Sequence, residues 1–333
     1  ALDISGGTSA DCNTNGVPDE CDLVQIVQQA KLTASAPTAF AFYGIAVAVS
    51  DDTAVVGTTG DDEACGGGVM CNAGSVYVYV RDGASWSEQA KINAGDGASA
   101  DSFGRAVALD GNTLAVGATG DDDLGAQSGS VYVYVRSGTS WSQQAKLNAS
   151  DGAAGDSLGL SVALDGDTLV VGAFADDGAG SAYVFTRTGT IWSEQDKLVA
   201  GDAAPGDDFG WSVALHADTA VIGARADNSP DVDAGSAYVF TRTGTVWTEQ
   251  AKLTASDSAA NDEFGWSVAL HADTAVIGAY RDDDACPNCD SGSAYVFTRT
   301  GTTWNEQDKL TADDAASEDQ FGYAVAVRGD TAV

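Results

Sequence analysis

The chain is poor in basic residues, and that shortage narrows its function first. Its 333 residues include only 15 lysines and arginines against 49 aspartates and glutamates, a formal net charge of −34 at pH 7. Nucleic acids and anionic membranes both need clustered basic side chains, so neither is expected as a partner. Two histidines leave little for imidazole-based catalysis or a histidine-rich metal cluster. No stretch approaches the ~18 apolar residues that a membrane-crossing helix requires, so no membrane insertion is expected. No signal peptide is visible in the sequence, which is expected either to start after cleavage or to lack its true beginning.

Cysteine is sparse but placed in close pairs: Cys12 with Cys21, Cys65 with Cys71, and Cys286 with Cys289. Each pair sits in one loop, which points to local disulfides and an oxidising, extracellular setting. The CPNC at 286–289 also reads as half of a zinc site, for which the sequence holds no second half.

What is abundant is glycine, 40 residues of it, and it is periodic. EFGWSVALHADTAVIGA runs from Glu263, DFGWSVALHADTAVIGA from Asp208, SLGLSVALDGDTLVVGA from Ser157 and SFGRAVALDGNTLAVGA from Ser102. Looser versions start at Phe42 and Gln320. The glycine of this step falls at Gly44, Gly104, Gly159, Gly210, Gly265 and Gly322, at intervals of 60, 55, 51, 55 and 57 residues. A fixed period of this size means a stacked or circular array. Each unit continues with an acidic loop, then GSVYVYV or GSAYVFTRTGT, then W-x-x-Q-x-K-(L/I). Val, Tyr, Phe and Thr alternate with small residues at period two, the pattern of half-buried strands. Turns such as LDGN, HAD and RTGT suit tight antiparallel hairpins. Four strands per unit, as at 209–215, 219–224, 235–242 and 247–253, predict an all-β β-propeller, with a straight solenoid of small sheets as the alternative.

The Phe-Gly start and the Gly-Ala step, as in Phe264-Gly265 and Gly278-Ala279, resemble FG-GAP repeats, the blades of integrin α-chain propellers and of many secreted bacterial proteins. The resemblance spans about 40–333. The third position of the Gly-Ala-Pro step is here Thr119, Phe174, Arg225 or Tyr280. The turn between the first two strands is only a few residues long, so no integrin-type calcium loop carries over there.

Five full blades are expected at about 40–93, 102–148, 157–198, 208–254 and 263–310. QQAKLTAS at the end of 23–34 matches QQAKLNAS and EQAKLTAS, which makes 23–34 an outer fourth strand. It would share a split blade with 320–333. A six-bladed ring then needs ALDIS or a neighbour's strand in the third place; the seven blades usual in the family need residues beyond Val333.

Residues 1–22 form a separate N-terminal arm and loop. DCNTNGVPDECD offers oxygen ligands at loop positions 1, 3, 5, 9 and 12 (Asp11, Asn13, Asn15, Asp19 and Asp22), with the Val17 carbonyl at position 7 and Gly16 at the sharp turn. That spacing wraps a hard cation such as calcium. It resembles the calcium loops of dockerins and thrombospondin type 3 repeats. Neutral Asn at two ligand positions, and Asp in place of Glu at the last, weaken the expected affinity. The alternative is a disulfide-pinned turn without metal.

In a propeller, loops 2→3 and 4→1 share one face and turns 1→2 and 3→4 the other. The first face carries repeated acid pairs: Asp96/Asp101, Asp151/Asp156, Asp202/Asp207, Asp257/Asp262 and Asp314/Asp319. The second carries Arg81, Arg136, Arg187, Arg242 and Arg299. A disc of this kind suits head-to-tail stacking, and a heterologous contact that does not close gives a filament. The first functional expectation is therefore a secreted or cell-surface structural or adhesion protein, self-associating into a filament. A monomeric binding module for glycans or cell-surface proteins is the alternative, and a propeller lyase or glycosidase the second. No enzyme is expected, because His216 and His271 occupy a turn position that other blades fill with Asp110, Asp165 and Arg328. Arg328-Gly329-Asp330 reads as the same turn rather than an integrin-recognition tripeptide. Trp86, Trp141, Trp192, Trp247 and Trp304 recur once per blade and read as packing residues. Trp211 and Trp266 follow the Phe-Gly step and read either as packing or as the lining of a carbohydrate site.

Overall fold

The computed structural model describes residues 28–36, 41–63, 71–283, 290–329 and 331–333. The expected ligands Asp11, Asn13, Asn15, Val17, Asp19 and Asp22, and every cysteine but Cys71, lie outside them. Among the described residues twenty-two strands follow one another without a long helix. In the first sheet β1 (Tyr43–Ser50), β2 (Thr53–Thr58), β3 (Ser75–Asp82) and β4 (Ser85–Ile92) pair antiparallel in chain order. The second sheet is β5 (Phe103–Asp110), β6 (Thr113–Ala118), β7 (Ser130–Ser137) and β8 (Ser140–Leu147). The third is β9 (Ser161–Asp165), β10 (Thr168–Ala173), β11 (Ser181–Thr188) and β12 (Ile191–Leu198). The fourth is β13 (Phe209–His216), β14 (Thr219–Ala224), β15 (Ser236–Thr243) and β16 (Val246–Leu253). The fifth is β17 (Ser267–His271), β18 (Thr274–Ala279), β19 (Ser293–Thr300) and β20 (Thr303–Leu310). A two-stranded sixth sheet joins β21 (Val327–Arg328) to β22 (Thr331–Ala332). The protein is a β-propeller.

The core is a series of dry layers between blades rather than one central core. One layer packs Val55, Val76 and Val78 of the first blade against Phe103, Leu114, Val116 and Tyr132 of the second. The phenylalanine of the Phe-Gly step is fully buried there and meets Tyr132 edge to face at 5.3 Å, a geometry the ring quadrupoles favour. Burying one such ring contributes roughly 1.5–3 kcal/mol; Phe209 and Phe264 repeat it at later junctions, and Leu158 takes the place between the second and third blades.

The two glycines that define the repeat meet at the same junction. Gly210 holds φ at +90°, a conformation that L side chains rarely adopt, and a Cβ on Gly172 would lie 1.9 Å from its carbonyl oxygen. Only glycine lets these two backbones approach so closely. The Trp-x-x-Gln motif is a second staple. Indole nitrogens of Trp141, Trp192, Trp247 and Trp304 donate to Gln89, Gln144, Gln195 and Gln250 of the preceding blade, at 2.9–3.1 Å.

The segment expected as the outer fourth strand carries no strand at its described residues, 28–34. It nonetheless takes the register of a blade's end. Leu32 and Ala34 pack on Ala54, Val56, Tyr77 and Tyr79 of the first blade, and Ser35 donates to Glu88, as Ser150 does to Glu194. Among the described residues no partner strand runs beside it, and β21 and β22 pair only with each other, so its edge makes no ladder. Val47 and Val49 of β1 are 68% and 66% exposed, whereas the matching Val107 is 9% exposed.

Candidate functional site

The acidic loops are more internally neutralised than their sequence suggests. In the second blade Lys146 Nζ lies 2.9 Å from Asp96, 2.8 Å from Asp121 and 2.6 Å from Asp123. Tyr132 donates its hydroxyl to Asp96 and Asp121, each at 2.8 Å. The third, fourth and fifth blades repeat the arrangement with Lys197, Lys252 and Lys309. In the first blade Lys91 holds Asp61 and Glu63, and the Ala36 carbonyl takes the place of the missing loop acid on Tyr77. The lysine of W-x-x-Q-x-K is thus a cation built into each blade. Asp96, Asp121 and Asp123 are close enough to hold a metal ion, and the Lys146 ammonium already sits among them.

Burial pushes the carboxyl of Asp96 up, but Lys146 and Tyr132 outweigh it and hold its pKa below the usual value. Asp151 is lowered chiefly by Lys197. In three pairs the second acid behaves differently. Asp101, Asp156 and Asp207 are buried and accept a backbone N–H three residues back, and desolvation raises each one's pKa.

The opposite face is not a free basic surface. Arg187 pairs with Asp167 at 2.6 Å, donates to Thr113 of the preceding blade at 3.1 Å and stacks over Trp192. Arg242 and Arg299 do the same with Asp218, Thr168 and Trp247, and with Asp273, Thr219 and Trp304. Arg136 uses Asn112 and Thr53, and Arg81 uses Asp52. The turn position shared by the histidines is a third inter-blade link. Asp110 and Asp165 each accept a backbone N–H from the next blade's turn, His271 accepts from Gly329 at 3.3 Å, and its ring packs on His216 at 4.9 Å.

One place departs from the repeat. The residue after each Phe-Gly glycine starts an innermost strand, and six of these residues converge on the mouth of the central channel: Ile45, Arg105, Leu160, Trp211, Trp266 and Tyr323. They enclose a cavity of about 350 Å³, continuous with a channel of about 690 Å³. That is the size range of small-ligand sites. Half of the rim is aromatic. Trp211 and Trp266 lie 4.9 Å apart, Trp266 packs on Tyr280 at 4.2 Å and on Tyr323 at 5.3 Å, and Phe174 closes the arc against Trp211.

This arc is braced from behind by charges that other blades lack. Arg225 stacks on Trp211 at 3.9 Å, close enough for a strong cation–π contact. It pairs with Asp208 at 2.8 Å and Glu263 at 2.7 Å, and Glu263 in turn holds Arg281 at 3.0 Å. Burial raises the pKa of Asp208 against the pull of Arg225. Both acids are held by arginines. Sequence reading singled out Trp211 and Trp266 and noted Phe174, Arg225 and Tyr280 only as departures from a motif. Convergence of the six positions was missed, although the position after Phe-Gly is among the least repeated in the most repeated stretch.

The model of the FG-GAP repeat family matches residues 26–79, 86–134, 141–185, 192–240, 247–297 and 304–333. No curated protein matches the chain.

Proposed function

The chain belongs to the FG-GAP repeat family, and from that premise we propose that it is an extracellular binding module, not an enzyme, which takes a glycan at the mouth of its central channel. The observation that carries this reading is the aromatic arc of Trp211, Trp266 and Tyr323 on a cavity rim, with buried Tyr280 packed behind it. The C–H face of a pyranose ring is apolar and weakly positive, and it matches the negative face of an indole. Both tryptophans are half-buried, and Arg225 lies over the ring of each, 3.9 Å from Trp211 and 5.3 Å from Trp266. The extracellular setting is supported by the family, whose repeats are typical of extracellular proteins. Calcium at Asp11, Asn13, Asn15, Val17, Asp19 and Asp22 is proposed on the loop spacing alone.

Head-to-tail stacking into a filament has less to rest on, because the five arginines behind that expectation are held within the ring. The test of the glycan reading is a glycan array followed by tryptophan-fluorescence titration. Wild-type protein is expected to bind at least one oligosaccharide class, and Trp266→Ala to lose that binding while remaining folded by circular dichroism. An empty array, or a Trp266→Ala protein that binds as well as the wild type, refutes it.

A further inference from the structure

The mouth of the channel is aromatic on one side and cationic on the other. Among the residues that line the mouth and the channel, Arg105 is the one that carries a charge. Its side chain makes no hydrogen bond or ion pair with any described residue, in contrast to the five repeated arginines. Its flanking positions in the ring are Ile45 and Leu160, both apolar. Burial lowers its pKa, and Tyr323 is the only group that counters the effect; arginine stays charged regardless. A half-buried guanidinium with five donors and no acceptor is unusual in a chain with 49 acids, because desolvating a charge without a partner is expensive.

We infer that Arg105 is a carboxylate-recognition residue and that the glycan taken at the channel mouth is acidic, a uronic-acid oligosaccharide. This rests on the glycan reading above and adds its charge. The planar fork of the guanidinium matches a carboxylate in two parallel hydrogen bonds. In a uronic acid the carboxylate projects from the ring edge, so one sugar can stack on Trp266 while its carboxylate reaches across the mouth. The chain's net charge does not forbid an anionic ligand. At physiological ionic strength the screening length is about 8 Å, and in each blade a lysine ammonium offsets part of the loop charge.

The experiment compares tri-galacturonate with the neutral galactose trimer of the same linkage, by calorimetric titration on the wild type and on Arg105→Gln and Arg105→Lys. Tri-galacturonate should bind the wild type at least about tenfold more tightly than the neutral trimer, and the ratio should shrink as salt is raised. Arg105→Gln should bring the ratio close to one, and Arg105→Lys should keep part of it, which separates charge recognition from a folding defect. Equal affinities for the two trimers in the wild type, or a preference that survives Arg105→Gln, overturn the inference and leave the glycan reading standing. Binding of neither trimer overturns this inference, and an empty glycan array beside it removes the glycan reading as well.

Discussion

Gly223 and Gly265 face each other across the junction of the fourth and fifth blades, so closely that a methyl group on the first would lie 2.0 Å from the carbonyl oxygen of the second. The contact is backbone on backbone, and no rotamer change relieves it. Gly223→Ala should therefore destabilise the protein by at least ~3 kcal/mol, at the upper end of overpacking effects. Gly244→Ala is the control. Its φ is +66° but nothing lies within 4 Å of the added carbon, so only the left-handed backbone is penalised, by about 1–2 kcal/mol. Denaturant unfolding of the two variants measures the difference.

Lys146→Met should leave Asp121, 3% exposed, without its cation. Breaking a buried pair in this way costs roughly 3–5 kcal/mol. The variant also turns Asp96, Asp121 and Asp123 into a carboxylate cluster with no ammonium among them. Millimolar calcium is expected to raise the melting temperature of Lys146→Met well beyond any change in the wild type. An equal response of the two proteins would show that the ammonium does not stand in for a metal.

Stability should depend on pH in two opposed ways. Asp151 has its pKa lowered in the folded state, so it adds stability above the ordinary carboxylate value that is lost as pH falls through the folded value. Asp101 has its pKa raised, so its contribution is present below the ordinary value and lost as pH rises through the raised one. Asp151→Asn should be less stable than the wild type at pH 7, with the gap closing in acid. Asp101→Asn, whose amide oxygen can still accept from Ala98, should be at least as stable as the wild type at pH 7 and lose that advantage near pH 4. Melting curves over the range from pH 3 to pH 8 decide both.

Arg187→Gln tests whether the arginines act inside the ring or between molecules. The side chain is 16% exposed and links Asp167 with Thr113 of the preceding blade. Its loss should lower stability by about 1–2 kcal/mol. Sedimentation of the variant should match that of the wild type. A shift in sedimentation without a change in melting would instead restore the arginines to an intermolecular contact.

The repeat was legible because its defining residues act locally on the backbone. Phe209-Gly210 and Gly223-Ala224 mark strand ends wherever they occur, and the strands at 209–216, 219–224, 236–243 and 246–253 follow from period-two alternation between them. Pairings across blades were not legible. Arg187 and Thr113 lie 74 residues apart, and nothing in either segment names the other. A separation of 46 residues likewise concealed that Lys197 pairs with Asp151, which left the loops reading as a bare acidic rim. The channel mouth was partly legible. Trp211 and Trp266 stand out in the sequence as large residues at a repeated place, while Arg105 gains its significance only from the ring, which sets it on the same channel mouth.

The lysine inside each blade's carboxylate cluster has one more consequence. An ion held by coordination comes and goes with its concentration in the surroundings. An ammonium carried on the blade's own fourth strand cannot be chelated, diluted away or exchanged for a competing metal. The five blades thus carry their counter-charge with them, and their loops should keep the same shape in calcium-poor water as in calcium-rich water.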